Sequence, residues 1–169
     1  MRPKKLVLLA LLTAIALTIF LVEAQIPAPV PIPGVKLGLA NIVTVFAVFA
    51  IGAKEAAAVL FCRIFLGAVF AGNFSTVLYS GAGGLCAMGV TLLLRRLLTK
   101  KQLWVAGVLG SMAHCIGQMG AAIAITQTPA LFAYLPVMLA IGIITGTFTG
   151  LCAQLLLNRG ANLWKTFLN

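Results

Sequence analysis

Long apolar runs, each closed by a short polar, glycine-rich or proline-rich stretch, recur six times along this chain. The first covers residues 6–22 without a charge, and at ~1.5 Å rise per residue it is about long enough to cross a hydrocarbon core as a helix. Further runs cover about 35–52, 56–72, 76–94, 103–126 and 130–157. They are separated by Ala53-Lys54-Glu55, by Asn73-Phe74-Ser75, by the basic stretch from Arg95 to Lys101, and by Gln127-Thr128-Pro129. The pattern predicts an all-α, polytopic membrane protein: six transmembrane helices in one bundle, forming a single domain over 1–169. Residues 158–169 place Leu163, Trp164, Phe167 and Leu168 on one helical face, which suits a tail lying along the membrane surface.

Two of these boundaries carry more detail. Between the first and second runs lies EAQIPAPVPIPGVKLGLANIV, in which prolines 27, 29, 31 and 33 fix φ and push their neighbours to extended geometry. A stiff polyproline II flap is expected, with Gly34 releasing the chain to deliver Lys36 and Asn41 at the start of the second span. The first run also admits a rival reading as a cleavable signal peptide, because Arg2, Lys4 and Lys5 precede it and Val22-Glu23-Ala24 follows. Its length exceeds the ~7–15 residues of a signal h-region, and Ala10 and Ala14 form a small-xxx-small face suited to helix packing, which favours a span.

Small residues pattern the later runs. Gly142, Gly146 and Gly150 make a tandem GxxxG in the sixth, and Gly107, Gly110, Gly117 and Gly120 line the fifth, so close helix contacts are expected. The run Ser80-Gly81-Ala82-Gly83-Gly84 weakens a helix by up to ~1 kcal/mol per glycine and would permit a break. Pro136 is expected to break the sixth run near its start.

Composition and charge sharpen this picture. With 62% hydrophobic and 8% charged residues and a mean hydropathy of +1.15, the chain is not suited to water. Twelve Lys and Arg against two acids give a net charge of +10. In a soluble chain that excess would suggest nucleic acid; here most of it falls between spans, where it orients the chain, and no nucleic-acid partner is expected. With the N-terminus inside, the inner segments hold Arg2, Lys4, Lys5, Lys54, Arg95, Arg96, Lys100, Lys101, Arg159 and Lys165, ten of the twelve. A cell-membrane protein with both termini cytoplasmic is therefore expected, with Trp104 and Trp164 at the inner interface and Tyr134 at the outer one.

The candidate chemistry is sparse. Arg63 lies near the middle of the third span, where an arginine costs ~2.5–3.5 kcal/mol on insertion scales, so it is expected to face the bundle interior with a partner; the plain alternative is snorkelling to the inner interface. His114 and Gln118, four residues apart, share a face of the fifth span. One histidine without a second ligand offers no metal site, and Cys62, Cys86, Cys115 and Cys152, without a CxxC spacing, read as small buried hydrophobes. Glu23 closes the first span at the outer face, with a solvated helix end as its plain reading. Lys36, Asn41, Arg63, His114, Gln118 and Tyr134 make up the candidate substrate-binding set. Because Glu23 is the only acid on that side, the mouth is expected to be positive and to suit a small anionic or amphipathic molecule. The rival is that Glu23 pairs with Lys36 and leaves a neutral mouth for an apolar ring system.

The stretch EAQIPAPVPIPGVKLGLANIV, the step GAKEAAAVLFCRIFLG and the segment SMAHCIGQ together resemble the heptaprenyl diphosphate synthase component I family, also called the Gx transporter family. That family in turn looks like the substrate-binding S components of energy-coupling factor transporters. The resemblance implies a six-helix bundle with a ligand cavity near the outer face, roofed by loops. It also implies a transmembrane coupling subunit, docked on an AxxxA face that Ala10 and Ala14 match, and separate ATPase subunits. Against the enzymatic part of the name stands the chemistry: chain-elongating prenyl synthases hold Mg²⁺–diphosphate with aspartates, and this chain has none. Its two glutamates are expected at opposite membrane faces, and no GxxxxGK[ST] is present for ATP. No enzymatic activity and no cofactor are expected. The alternative to a transport subunit is a non-catalytic membrane accessory protein of isoprenoid or quinone metabolism.

Overall fold

A computed structural model describes residues 3–26, 36–72 and 74–160. The proline flap, Asn73 and most of the C-terminal tail, with Trp164, lie outside the described residues. The fold is all-α as the periodicity predicts: α1 (Pro3–Glu23), α2 (Asn41–Ala50), α3 (Ala53–Ala71), α4 (Ser75–Arg95), α5 (Leu103–Thr126) and α6 (Leu135–Arg159). Short 3₁₀ turns precede α5 and α6, and no strand occurs among the described residues.

Its solvent is written on its surface. Phe65, Phe70 and Ile144 are 64%, 65% and 70% exposed, while Asn41, Arg63, Ser80, Thr91, Ser111, His114, Gln118 and Thr149 are buried. Apolar side chains outside and polar ones inside are what a hydrocarbon environment selects, since polar groups there must find partners within the protein. α1, α4, α5 and the stretch Pro129–Arg159 are long and apolar enough to cross a membrane. These helices support a multi-pass membrane protein.

The second span departs from expectation. Residues 36–40 are not helical, and α2 covers ten residues, ~15 Å at 1.5 Å per residue, about half a hydrocarbon core. Sequence hydropathy merged a non-helical approach with a short helix because both are apolar. α2 is buried on nearly every side, through Val43, Thr44, Val45, Phe46, Ala47 and Val48, and it touches each of the other five α-helices. A helix that is apolar all round belongs in the centre, and this one is the axle of the bundle.

Around it α1, α3, α4, α5 and α6 pack in succession. The seam between α5 and α6 is backbone on backbone: a Cβ on Gly107 would lie 2.5 Å from the Gly146 oxygen and 2.5 Å from Gly150 Cα, and one on Gly150 would lie 2.7 Å from Trp104 Cα. On the other face of α5, a Cβ on Gly117 would lie 2.7 Å from the Ala82 oxygen of α4. The expected glycine packing is thus present, except that nothing lies within 4 Å of a Cβ on Gly120. The expected break at Ser80–Gly84 is absent. α4 runs unbroken, because Gly83 and Gly84 accommodate side chains of α5 and α3 rather than a bend. Pro136 falls in the first turn of α6, after the 3₁₀ turn Pro129–Tyr134, where its missing N–H costs no helical bond. Two of the four cysteines, Cys62 and Cys86, are exposed rather than buried.

The chain reverses between α3 and α4 at Gly72, which takes the left-handed conformation at φ +63. That reversal, with the antiparallel α4–α5 and α5–α6 pairs, gathers Lys54, Arg95, Arg96, Lys101 and Arg159 at one end of the bundle. At the same end Lys5 at the start of α1 forms an ion pair with Glu55 at the start of α3. The Lys5 hydrogen bond holds the Glu55 carboxyl below the usual carboxylate range. The two glutamates therefore stand at opposite ends of α1.

Overpacking the α5–α6 seam should be expensive where filling open space is not. Gly107→Val is expected to lower stability by ~1–3 kcal/mol or more, whereas Gly89→Ala, where a Cβ meets nothing within 4 Å, should be neutral or gain up to ~1 kcal/mol. Thermal unfolding of both variants in detergent measures the contrast, and equal melting temperatures would contradict the backbone seam.

Candidate functional site

At the end of α1 remote from the basic cluster, the chain assembles a polar group from four helices and the segment before α2. Phe20 and Glu23 come from the last turn of α1, Lys36 from the segment before α2, Asn41 from the first turn of α2, Arg63 from mid-α3, and His114 and Gln118 from α5. Glu23 is 3% exposed, not a solvated helix end. Its carboxylate accepts hydrogen bonds from two consecutive backbone N–H groups, Gly38 at 2.5 Å and Leu39 at 2.9 Å. Such paired donors suit an anion, and they anchor the approach to α2 onto the end of α1.

Gly38 makes this turn possible. Its φ of +82 lies in the left-handed region, and a Cβ there would sit 2.9 Å from His114 Cδ2 and 3.1 Å from Asn41 Nδ2. The turn continues into α2 by the bond from the Asn41 N–H to the Gly38 oxygen, 3.0 Å. On the opposite side of the imidazole stands Gly83 of α4, where a Cβ would lie 2.8 Å from His114 Cε1 and 2.8 Å from Gln118 Cγ. His114 is therefore gripped between two glycine backbones. Gly83 and Gly84 thus have a packing role in α4, with Gly83 opening the floor on which His114 and Gln118 lie.

Lys36 is tied down twice. Its backbone N–H donates to Gln118 Oε1 at 3.2 Å, and its Nζ stands 3.3 Å from the centroid of the Phe20 ring, a cation–π contact. Arg63 Cζ is 5.8 Å from the same centroid, and Arg63 is 3% exposed. It faces the bundle interior and does not snorkel. Phe20 itself is pressed on α3, since a Cβ on Gly67 would lie 2.7 Å from its ring. The Glu23 charge acts on both Lys36 and Arg63, yet neither cation forms an ion pair with it: Lys36 Nζ, Arg63 Nε and Arg63 Nη2 are buried without a hydrogen-bond partner. Both ends of the Asn41 amide and Gln118 Nε2 are in the same state.

Five of the six sequence candidates, Lys36, Asn41, Arg63, His114 and Gln118, thus converge. Tyr134 does not join them; it ends the 3₁₀ turn before α6 and is 40% exposed. Sequence reasoning left Phe20 and Glu23 outside the set, although they hold its centre. The usable signal was the rarity of acids: one of only two in the chain closes an apolar span. No group of three or more His, Cys, Asp or Glu able to hold a metal occurs among the described residues.

A second feature lies along α1 toward its basic end. An open apolar groove of about 740 Å³ runs between α1 and α3, lined by Leu9, Ala10, Thr13, Ala14 and Leu66 with Lys54 and Glu55 at its edge. The alanines leave the depression that larger side chains would fill.

The clamp on Gly38 and Leu39 has a measurable weight. Glu23→Ala leaves the Gly38 and Leu39 N–H groups without their acceptor, and it is expected to lower stability by ~2–4 kcal/mol, since each such group left unsatisfied costs ~1–3 kcal/mol. Thermal unfolding of the purified protein checks this; a loss under about 1 kcal/mol, the range of an exposed pair, would show that the carboxylate is not a buried anchor.

The family model described as heptaprenyl diphosphate synthase component I matches residues 12–156, which include every residue of the polar cluster. No curated protein and no solved structure matches the chain.

Proposed function

The chain belongs to the heptaprenyl diphosphate synthase component I family, and we propose that it acts there as a substrate-capturing membrane subunit for a small anion-bearing molecule, resembling an S component of an energy-coupling factor transporter. The observation that carries this reading is the set of unpartnered polar atoms on Lys36, Asn41, Arg63 and Gln118. Buried donors without acceptors cost about 1–3 kcal/mol each, more when charged, and a ligand with acceptor oxygens would satisfy them. The atoms are mainly donors and include two cations, so an anion gains charge-assisted hydrogen bonds that a neutral molecule does not.

The same reading assigns the parts of a cycle. Lys36 and Asn41, on either side of the Gly38 turn, form the wall that moves with the approach to α2. Arg63, His114 and Gln118, on long helices, form the fixed wall. The protein performs no bond chemistry in this scheme; it binds and releases, and the energy for release comes from ATPase subunits acting through a transmembrane coupling subunit. The apolar groove at Ala10 and Ala14 supports a docking place for that subunit. The outer mouth lies at the Glu23 end and both termini are cytoplasmic, since the basic residues gather at the opposite end.

The family description also favours a second reading. Membership fits a membrane accessory role beside an isoprenoid-forming enzyme, in which the polar cluster would serve the packing of the bundle. Mass spectrometry of small molecules that co-purify with the detergent-solubilised protein separates the two: capture requires a retained anion, and accessory packing requires none.

Two variant sets test the assignment. Ligand retention should fall in Lys36→Ala and fall further in Lys36→Glu, which adds repulsion to a lost contact, and both losses should shrink at high salt. Binding that is independent of salt and unchanged by either substitution would rule out Lys36 as an anion contact. Ala14→Leu fills the groove and is expected to abolish co-purification with a coupling subunit while leaving ligand retention intact; an undisturbed complex would remove the groove from the scheme.

A further inference from the structure

The cluster has a charge balance as well as a set of free donors. In their ordinary ionised forms Glu23, Lys36 and Arg63 are one negative and two positive groups, a surplus of one positive charge where Glu23 and Arg63 are buried and Lys36 is half-buried. The segment between Glu23 and Lys36 cannot correct it: residues 27–35, PAPVPIPGV, contain no ionisable side chain. Glu23 is already counted in this balance, and it forms no ion pair with either cation, its carboxylate being engaged by the Gly38 and Leu39 N–H groups. An unbalanced charge in a low-dielectric interior is strongly disfavoured, and a bound counter-charge of equal size removes the imbalance.

The free atoms of Arg63 add shape to this argument. Nε and Nη2, both without partners, lie along one edge of the planar guanidinium and present two parallel N–H donors. That edge matches the two oxygens of a carboxylate. Lys36 Nζ and Gln118 Nε2 supply further donors, and Asn41 offers one donor and one acceptor.

Resting on the capture reading above, we propose that the ligand is a monoanion whose charged group is a carboxylate, and that the site rejects diphosphates. A single carboxylate brings the cluster to neutrality and occupies the Arg63 edge. A diphosphate, with two or three negative charges, would overshoot the single positive surplus and leave the buried site negative. The ligand class therefore departs from the substrate that the family's description suggests.

The test uses the purified full-length protein in detergent, with unfolding temperature read at constant ionic strength. Probes are benzoate as the monocarboxylate, benzamide as its neutral counterpart, inorganic pyrophosphate as the polyanion, and chloride as reference. Benzoate is expected to raise the melting temperature by about 2–4 °C over chloride, with no rise from benzamide or from pyrophosphate. A larger rise from pyrophosphate that is lost in Arg63→Gln overturns the monoanion proposal while leaving anion capture standing. No rise from either anion, or an equal rise from benzamide, overturns the capture reading together with it.

A second variant keeps the test independent of whether Arg63→Gln folds. Gln118→Glu retains the acceptor for the Lys36 N–H and adds the missing negative charge, so it should melt higher than wild type in chloride and lose its response to benzoate. A Gln118→Glu protein that melts lower than wild type and still responds fully to benzoate overturns the charge-balance argument.

Discussion

The architecture depends on one buried carboxylate accepting two backbone N–H groups. Glu23 ends α1 after the uncharged run 6–22, and its bonds to Gly38 and Leu39 return the chain to the bundle after the proline-rich segment. Without that anchor, the approach to α2 would have backbone donors at membrane depth and no partner for them. With it, the turn at Gly38 is set, Asn41 begins α2 at a defined place, and Lys36 is directed onto Phe20. The short central helix is positioned from its polar end, and the apolar contacts of Val43 to Val48 follow from that placement.

Packing elsewhere solves a different problem. In hydrocarbon there is no hydrophobic driving force to hold helices together, so close van der Waals contact and internal hydrogen bonds must do so. α5 carries both solutions on separate faces. Gly107 meets Gly146 and Gly150 of α6, and Ser111 shares a hydrogen bond with Thr145 at 3.3 Å. Toward the other end of α5, His114 and Gln118 face the polar cluster against Gly83 of α4. Because the first face is backbone on backbone, α5 and α6 have little freedom to slide, and the imidazole and amide they support are held in fixed positions. The rigid wall of the site is a consequence of glycine packing about two turns away.

Much of this was legible in the residues, and the reasons for the rest are specific. Helix content, the glycine seam and the inward-facing Arg63 follow from periodicity and from the cost of a charge in hydrocarbon. Five of the six candidate residues converge because polar side chains in apolar helices have few places to go. The extent of α2 was not legible, since Leu37 to Ala40 carry no polar side chain, and the Glu23 bonds and the positive φ of Gly38 hold them out of the helix. The continuity of α4 was hidden for the converse reason: Gly81 to Gly84 carry a poor helix propensity, and tertiary contacts from Leu60, His114 and Gln118 override it. Glu23 was misjudged because its partners are backbone N–H groups fifteen and sixteen positions away, which leave no trace in side-chain pattern.

The two features of this chain, the polar cluster and the apolar groove, are joined by a single element. α1 presents Ala10 and Ala14 to the groove, and about two to four turns later it presents Phe20 to the cations and Glu23 to the α2 approach. It touches α3 along its length, at the Lys5–Glu55 pair at one end and at the contact of Phe20 with Gly67 near the other. A Cβ at Gly67 would already overlap the Phe20 ring at 2.7 Å, so α1 cannot shift along α3 without moving that ring. The ring carries Lys36 at 3.3 Å and faces Arg63 at 5.8 Å, and both cations must respond to its displacement. The groove and the polar cluster therefore share one helix and one seam, and a shift of α1 along α3 would displace the Phe20 ring that both cations face.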